Sequence, residues 1–446
     1  MSDHVVVIGG GITGLVAALR LEQAGRSVTV LEATDRPGGK LQTTAFRGVE
    51  GVDTGGDAML ARVPWGVDLL AELGLEAVSP AVGTALVAWH GRLHRLPEGL
   101  ILGVPAGLGG LARSRLLSPL GKLRAATEPF RRRTKPTDNL GELIRARFGD
   151  EVADRLVDPL VGGINAGDID HLSISAATPQ LMAATADRSL LRGLSRNRPP
   201  TSAAPVFVAP RGGMGSLATE VAGRLTDLRV STPCSSIERR GRGWTVNGID
   251  AGHVIVATPA HVTAGLLHGL SPDTAAGLRQ IRAASVVMVT LAYPRATIGR
   301  ALTESGFLIP KSAQGHVTAC SFGSNKWPHW ARNDEVVLRV SLGRLGNDAP
   351  MSFDDDRTAT VAHSEIAGLL GITSEPSAAH VTRWERAFPQ YEPGHRGRVA
   401  TLRTTLAVDA RGLLLAGAPY DGIGVPACIR QAEEAVRSIT QNGHEQ

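Results

Sequence analysis

The chain has 446 residues, 43% of them hydrophobic and 20% charged, the make-up of a folded globular protein and not of a disordered chain or a coiled coil. Eight Phe, six Trp and three Tyr are too few for an aromatic cage or a row of base-stacking rings. The formal net charge is +5, yet Arg92 to Lys135 alone carries ten basic side chains against Glu98 and Glu128. That block suits an acidic ligand, a membrane surface, nucleic acid or a plain solvated face. No RNA motif or interleaved aromatics accompany it, so no nucleic acid is expected.

Three cysteines, Cys234, Cys320 and Cys428, are far apart and odd in number, which points to a reducing compartment without disulfides. No Cys/His spacing resembles a zinc site, so no metal is expected. The longest apolar stretch, Leu100 to Ala112, is broken by Pro105 and is too short to span a bilayer. No signal sequence is expected ahead of the first strand. A cytoplasmic protein with at most peripheral membrane contact is expected.

The N-terminus predicts strand, turn, helix and strand. His4 to Ile8 reads as a continuous β-branched run, as in a buried parallel strand. Gly9, Gly11 and Gly14 follow in G-x-G-x-x-G spacing, with Gly10, Ile12 and Thr13 between them. An apolar helix then runs to Gly25, and a second strand ends at Glu32 and Ala33. In this setting the glycines admit a dinucleotide pyrophosphate to the helix N-terminus, and the acid accepts hydrogen bonds from a ribose. NAD and FAD share the fingerprint. The next residues, Arg36, Gly38, Gly39 and Lys40, resemble the R-x-G-G-[RK] continuation of FAD enzymes related to amine oxidases. There, a second turn and a basic side chain hold the flavin end of the pyrophosphate. Thr54, Gly55, Gly56 and Asp57 resemble the later contact near the flavin ring. Gly212 to Gly215 has the wrong spacing for a second nucleotide turn, so no nicotinamide is expected.

Beyond residue 83 the pattern turns helical. Leu140, Leu143, Ile144, Phe148, Val152 and Leu156 recur at helical spacing, and Pro159 is expected to end the run. Ser195 to Ala204 reads as an exposed linker. From Val206 the signals return to α/β, with a strand at His253 to Ala257. Strand-like runs fill 285–390, and a helix lies near Thr358 to Leu370. Leu413 to Ile439 closes the chain as strand, turn and helix, with Pro426 in the first helical turn.

Four further segments carry a closer resemblance: Asp158 to Leu181 (DPLVGGINAGDIDHLSISAATPQL), Ser324 to Pro328 (SNKWP), Ala387 to His395 (AFPQYEPGH) and Gly417 to Gln431 (GAPYDGIGVPACIRQ). With the N-terminus, they resemble the oxygen-dependent protoporphyrinogen and coproporphyrinogen III oxidase family. The resemblance implies an α/β fold: a discontinuous Rossmann-like FAD-binding domain (1–82, 201–260 and 391–446), a mixed-sheet substrate domain (261–390) and an inserted helical domain (83–200). It implies non-covalent FAD, with backbone contacts near Cys234, Trp384 beside the flavin, and Ile423, Gly424 and Val425 at its ring. The reaction implied is oxidation of coproporphyrinogen III by hydride transfer to flavin, with dioxygen as acceptor. Protoporphyrinogen IX is the alternative substrate, and a flavin amine oxidase a more distant one. Ferrochelatase or another haem-pathway enzyme is a partner of the kind the family suggests. The flavin carries the chemistry, so no catalytic side chain is named. Asn165, Asp168 and Lys326 are candidates near substrate. Some of Arg92, Arg95, Arg113 and Arg115 are expected to bind its propionates, directly or by steering. Cys428, at a helix start, reads as a small core residue.

Overall fold

The computed structural model describes residues 3–131, 135–196, 205–332 and 334–441. In Val5–Ile8 every side chain is buried. A run with no polar face needs cover on both sides, and it obtains this in the middle of a five-stranded parallel sheet. The strand order is Leu228–Arg229, Val28–Leu31, Val5–Ile8, His253–Val256 and Leu413–Leu415. On one face the helices Ile12–Gln23 and Val425–Gln441 pack together through Leu15, Leu19, Ile429, Ala432 and Val436. Arg20 reinforces that pairing through Glu433 at 3.1 Å and also bonds Glu72 of the helix Pro64–Leu73 at 2.7 Å. On the other face, Trp244, Leu278, Leu402 and Leu406 form a second core.

A seven-stranded mixed sheet lies apart from this one. Its order is Ala378–Pro389, Ala283–Pro294, Glu335–Leu342, Val317–Phe322, Gly306–Leu308, Ala85–Trp89 and Arg92–Arg95. All neighbours are antiparallel except Gly306–Leu308 with Ala85–Trp89. The helix Asp355–Leu370 backs it through Ala362, Ile366 and Leu370. Asp354 caps that helix, accepting from the Arg357 N–H at 2.8 Å.

Two sequence expectations change here. Residues 85–95 join the seven-stranded sheet, and the first helix after residue 83 is Gly109–Arg113. The strand Ala85–Trp89 is buried on both faces: Leu86 and Ala88 enter the sheet core, Val87 the helical core. That hides the period-2 alternation by which strands are read. Pro159 does not end its run either. Leu140–Phe148 is followed by wide π-helical turns over Ala153–Gly162, with Pro159 inside, and then by Gly163–Asn165. A proline removes one donor and crowds the carbonyl four residues back; the wider register relieves the crowding. Such turns are frequent at functional sites. The apolar stretch at 100–112 becomes a hairpin and a short helix. Among the described residues no helix is long and apolar enough to cross a membrane. The linker expected at 195–204 lies largely outside the described residues.

Candidate functional site

The glycine turn is built by crowding on one side and open space on the other. Gly9 has φ +105°, and a Cβ there would lie 2.8 Å from the Ala257 carbonyl oxygen. A Cβ on Gly14 would lie 1.9 Å from the Gly9 oxygen. Gly11 differs: a Cβ there would meet nothing within 4 Å, so its backbone borders an open cradle ahead of the helix. Ile12 and Thr13 begin that helix and are buried. Glu32 closes the cradle. Its carboxylate accepts from the Gly10 N–H at 2.6 Å and from the Thr34 N–H at 2.8 Å and hydroxyl at 2.6 Å. Exposed Ala33 lies between Glu32 and Thr34. An open space beside Gly11, a helix N-terminus and a buried acid fit a dinucleotide. Cys234 is half-buried, and burial pushes its thiol up to about 11. It follows Thr232, whose N–H donates to the Glu32 carbonyl at 2.8 Å.

The second motif folds against the first. The Gly38 N–H donates to the Gly10 carbonyl at 2.8 Å, and Gly39 has φ +56°. Arg36 turns back onto its own loop, donating to the Gly39 carbonyl at 2.8 Å and to Gln42 at 3.0 Å. Lys40 stands in an open cavity and donates to the Ala387 carbonyl; the surrounding protein strips hydration from its ammonium and lowers its pKa. The Thr54 carbonyl accepts from the Trp384 indole N–H at 2.9 Å, which fixes the indole beside Gly55 and Gly56. Behind that turn lies a charged knot. Asp57 accepts from Lys326 at 2.8 Å and from the Trp327 indole N–H at 3.2 Å, and pairs with Arg339 at 3.2 Å. Burial alone would raise the Asp57 carboxyl, but the two cations and these hydrogen bonds hold it below the usual range. Lys326 therefore serves the turn and does not line the cavity.

The C-terminal loop completes this wall. Gly422 has φ +123°, and Ile423, Gly424 and Val425 lead into the last helix with Gly424 exposed. Tyr391 clamps the loop: its hydroxyl donates to the Ala418 carbonyl and accepts from the Gly422 N–H at 2.9 Å. His395 stacks on Tyr391 and bonds the Tyr420 carbonyl at 2.9 Å. Gln390 donates to the Asn165 carbonyl at 2.9 Å. The AFPQYEPGH segment thus ties two other motif segments together. Cys428 is buried, which raises its thiol pKa, as befits a core residue.

These motifs open into one cavity. Lys40, Gly55, Gly56 and Trp384 form one side; Asp158, Pro159, Gly162, Gly163 and Ala166 come from the π-helical turns and the loop beyond. Val286, Met288, Thr318 and Ser341 of the mixed sheet, with Ile309, Gln314, Arg344, Ala387 and Phe388, complete the lining. Asp158 and Arg344 form a buried pair at 2.9 Å.

The expected substrate residues are placed differently. Asn165 donates back to the Val161 carbonyl at 2.8 Å. Asp168 accepts from the Asp170 N–H at 3.1 Å and pairs with Lys311. Neither lines the cavity; both hold the loop whose neighbours do. Arg92 and Arg95 lie exposed on an edge strand, Arg95 facing Glu304 at 3.7 Å. Arg95, Arg113 and Arg115 border a separate groove. Sequence reasoning missed Asp158 and Arg344. The signal for Asp158 was its place at the head of the diagnostic segment; for Arg344 it was a charge closing an apolar strand.

A family model described as flavin containing amine oxidoreductase matches residues 12–440. The chain belongs to that family. Within it, the chain is 33% identical to the coproporphyrinogen III oxidase of Bacillus subtilis strain 168, covering 98% of each chain. It is 36% identical to the coproporphyrinogen III oxidase of Mycobacterium tuberculosis strain H37Rv, over 98% of this chain and 97% of that one. A crystal structure of a putative protoporphyrinogen oxidase from Exiguobacterium sp. 255-15 superposes with a TM-score of 0.88 at 30% identity, covering 99% of both chains. Membership makes the chain a flavin-dependent oxidoreductase.

Proposed function

We propose that the protein is an FAD-dependent oxidase that converts coproporphyrinogen III to coproporphyrin III with dioxygen as acceptor. One observation carries the reading: the flavin-motif residues Lys40, Gly55, Gly56 and Trp384 share a cavity with Asp158, Gly162 and Gly163 of the segment that distinguishes porphyrinogen oxidases. The full-length relatives of that name support it. The parallel sheet with the glycine turn would hold FAD without a covalent bond, and the mixed sheet and helical segment would enclose the substrate.

The chemistry a bound flavin supplies here is acceptance of a meso hydride in each of three rounds, with dioxygen reduced to hydrogen peroxide each time. The chain's own residues bind, orient and keep water out. Gly10, Gly11 and Glu32 would hold the pyrophosphate and ribose. The N-terminus of Val425–Gln441 offers positive potential to a ring at Ile423 to Val425. Val286, Met288, Ile309 and Phe388 provide an apolar wall for the macrocycle. Asp158 is held by Arg344 and by the Lys311 N–H at 3.1 Å, so it is a poor general base. Proton loss is left to the pyrrole N–H groups.

An amine oxidase is disfavoured. Ser285 to Tyr293 contains no lysine, and Tyr293, Tyr391 and Tyr420 are buried away from the cavity lining. The test is direct. Purified protein should carry flavin, acid should release it as FAD, and porphyrin fluorescence should appear from coproporphyrinogen III with oxygen uptake and indifference to NAD or NADP. Flavin retained on the precipitated protein would reject non-covalent binding. No fluorescence gain from coproporphyrinogen III would reject the substrate. A relative named protoporphyrinogen oxidase, from Macaca fascicularis at 31% identity, makes protoporphyrinogen IX the second substrate to assay.

A further inference from the structure

The cavity holds a guanidinium that no sequence motif announces. Arg344 is 5% exposed and lies just beyond the strand Glu335–Leu342. Its two terminal nitrogens are fully committed. Nη1 faces Asp158 at 3.3 Å and Gln314 at 3.4 Å, and Nη2 donates to Asp158 at 2.9 Å and to the Gly167 carbonyl. An arginine has five N–H donors. The fifth, on Nε, is buried and has no acceptor.

The substrate class of the proposed function, on which this inference rests, creates a demand for such a donor. Every pyrrole ring of coproporphyrinogen carries a propionate. Whichever edge of the macrocycle enters first, a carboxylate goes in with it, and a carboxylate buried without a partner is strongly unfavourable. Protoporphyrinogen has two neighbouring rings without propionate, and that edge can enter bare. Arg92, Arg95, Arg113 and Arg115 do not line the cavity. Lys40, the other cation in the lining, belongs to the wall with Gly55, Gly56 and Trp384 and is bonded to Ala387.

We propose that Arg344, held in the cavity by Asp158, receives the innermost propionate of the substrate and sets the preference for a macrocycle with a carboxylate on every ring. Asp158 is the positioning residue: it neutralises the guanidinium in the absence of substrate and holds both terminal nitrogens, leaving Nε, covered until the side chain shifts, as the donor for the carboxylate. Gln314 borders the same cavity and steadies the other edge of the guanidinium.

The test is the paired variant Arg344→Gln with Asp158→Asn, which keeps hydrogen-bonding capacity and leaves no unpaired buried charge. Flavin content and melting temperature report its fold. Steady-state rates are then compared on coproporphyrinogen III and protoporphyrinogen IX, with binding of the porphyrin products followed by fluorescence. Loss of one charge-assisted contact should raise KM for coproporphyrinogen about tenfold or more. The ratio of kcat/KM between the two substrates should fall by a similar factor, and binding of coproporphyrin tetramethyl ester should change far less than that of the free acid. An unchanged ratio would overturn the proposal. So would an equal loss on both substrates, the signature of a merely structural salt bridge. Wild-type protein that oxidises neither porphyrinogen would instead bring down the proposed function, and this inference with it.

Discussion

Glu32 and Asp53 are two buried acids with opposite duties. Glu32 holds the Gly10 N–H and both donors of Thr34, so it is preorganised to accept from a ribose. Glu32→Ala should weaken FAD by about 1.5–3 kcal/mol per lost charge-assisted bond, measured as flavin retained after gel filtration. Retention equal to wild type would remove Glu32 from the site. Asp53 is 1% exposed and accepts from the Met214 N–H at 2.7 Å. Burial, opposed by Arg339 and assisted by Asp57, raises its pKa to about 8. The unfolded carboxyl titrates near about 3.9, so between those values the folded chain binds the extra proton. Stability therefore falls as pH rises from about 4 to 8. Asp53→Asn should flatten that decline and melt higher than wild type at pH 8; an unaltered pH profile would show that Asp53 is already ionised. At this scale, motif residues were legible by type but not by partner. Arg36, Lys326, Asn165 and Asp168 all sit in motif segments, yet each bonds protein, because a sequence does not show which polar atoms meet across the fold.

Single elements decide how tightly the cofactor turn is held. Gly14 lies where the helix Ile12–Gln23 crosses the turn, and Gly14→Ala would drive a Cβ to 1.9 Å from the Gly9 oxygen. Such a clash displaces the helix N-terminus, so the variant should be purified without flavin although its secondary structure persists by circular dichroism. Full flavin content would show that the turn can open. The clamp at the other end rests on one hydroxyl. Tyr391→Phe leaves the Ala418 carbonyl and the Gly422 N–H without it, at a cost of about 1–3 kcal/mol for each group that stays unpaired. The melting temperature and flavin occupancy should fall together. A drop in melting temperature at wild-type occupancy would separate the clamp from the cofactor loop. The N-terminal strand, turn and helix were readable because their period and glycines are local. The π-helical turns around Pro159 were not, since a helix interior normally excludes proline and only the surrounding packing makes the wider register favourable.

Across the whole molecule, charge is segregated from chemistry. The basic block supplies an exposed surface and a groove of its own, whereas the cavity takes its cations, Lys40 and Arg344, from outside that block. Replacing Arg92, Arg95, Arg113 and Arg115 together by alanine should leave KM for coproporphyrinogen within about twofold, because exposed charges contribute weakly and salt screens them over about 8–10 Å. A KM rise that shrinks in high salt would show that these side chains steer substrate to the cavity mouth.

By itself the sequence determined the glycine turn, the acid after the second strand, the closing strand and helix, and the segments that mark the family, since each is written in neighbouring residues. Only the tertiary structure decided that Ala85–Trp89 belongs to the mixed sheet, that the AFPQYEPGH segment clamps the last loop, and that Asp158 and Arg344 meet in the cavity. Those contacts join residues tens to hundreds of positions apart, and the free energy that selects them comes from burial and pairing across the whole fold.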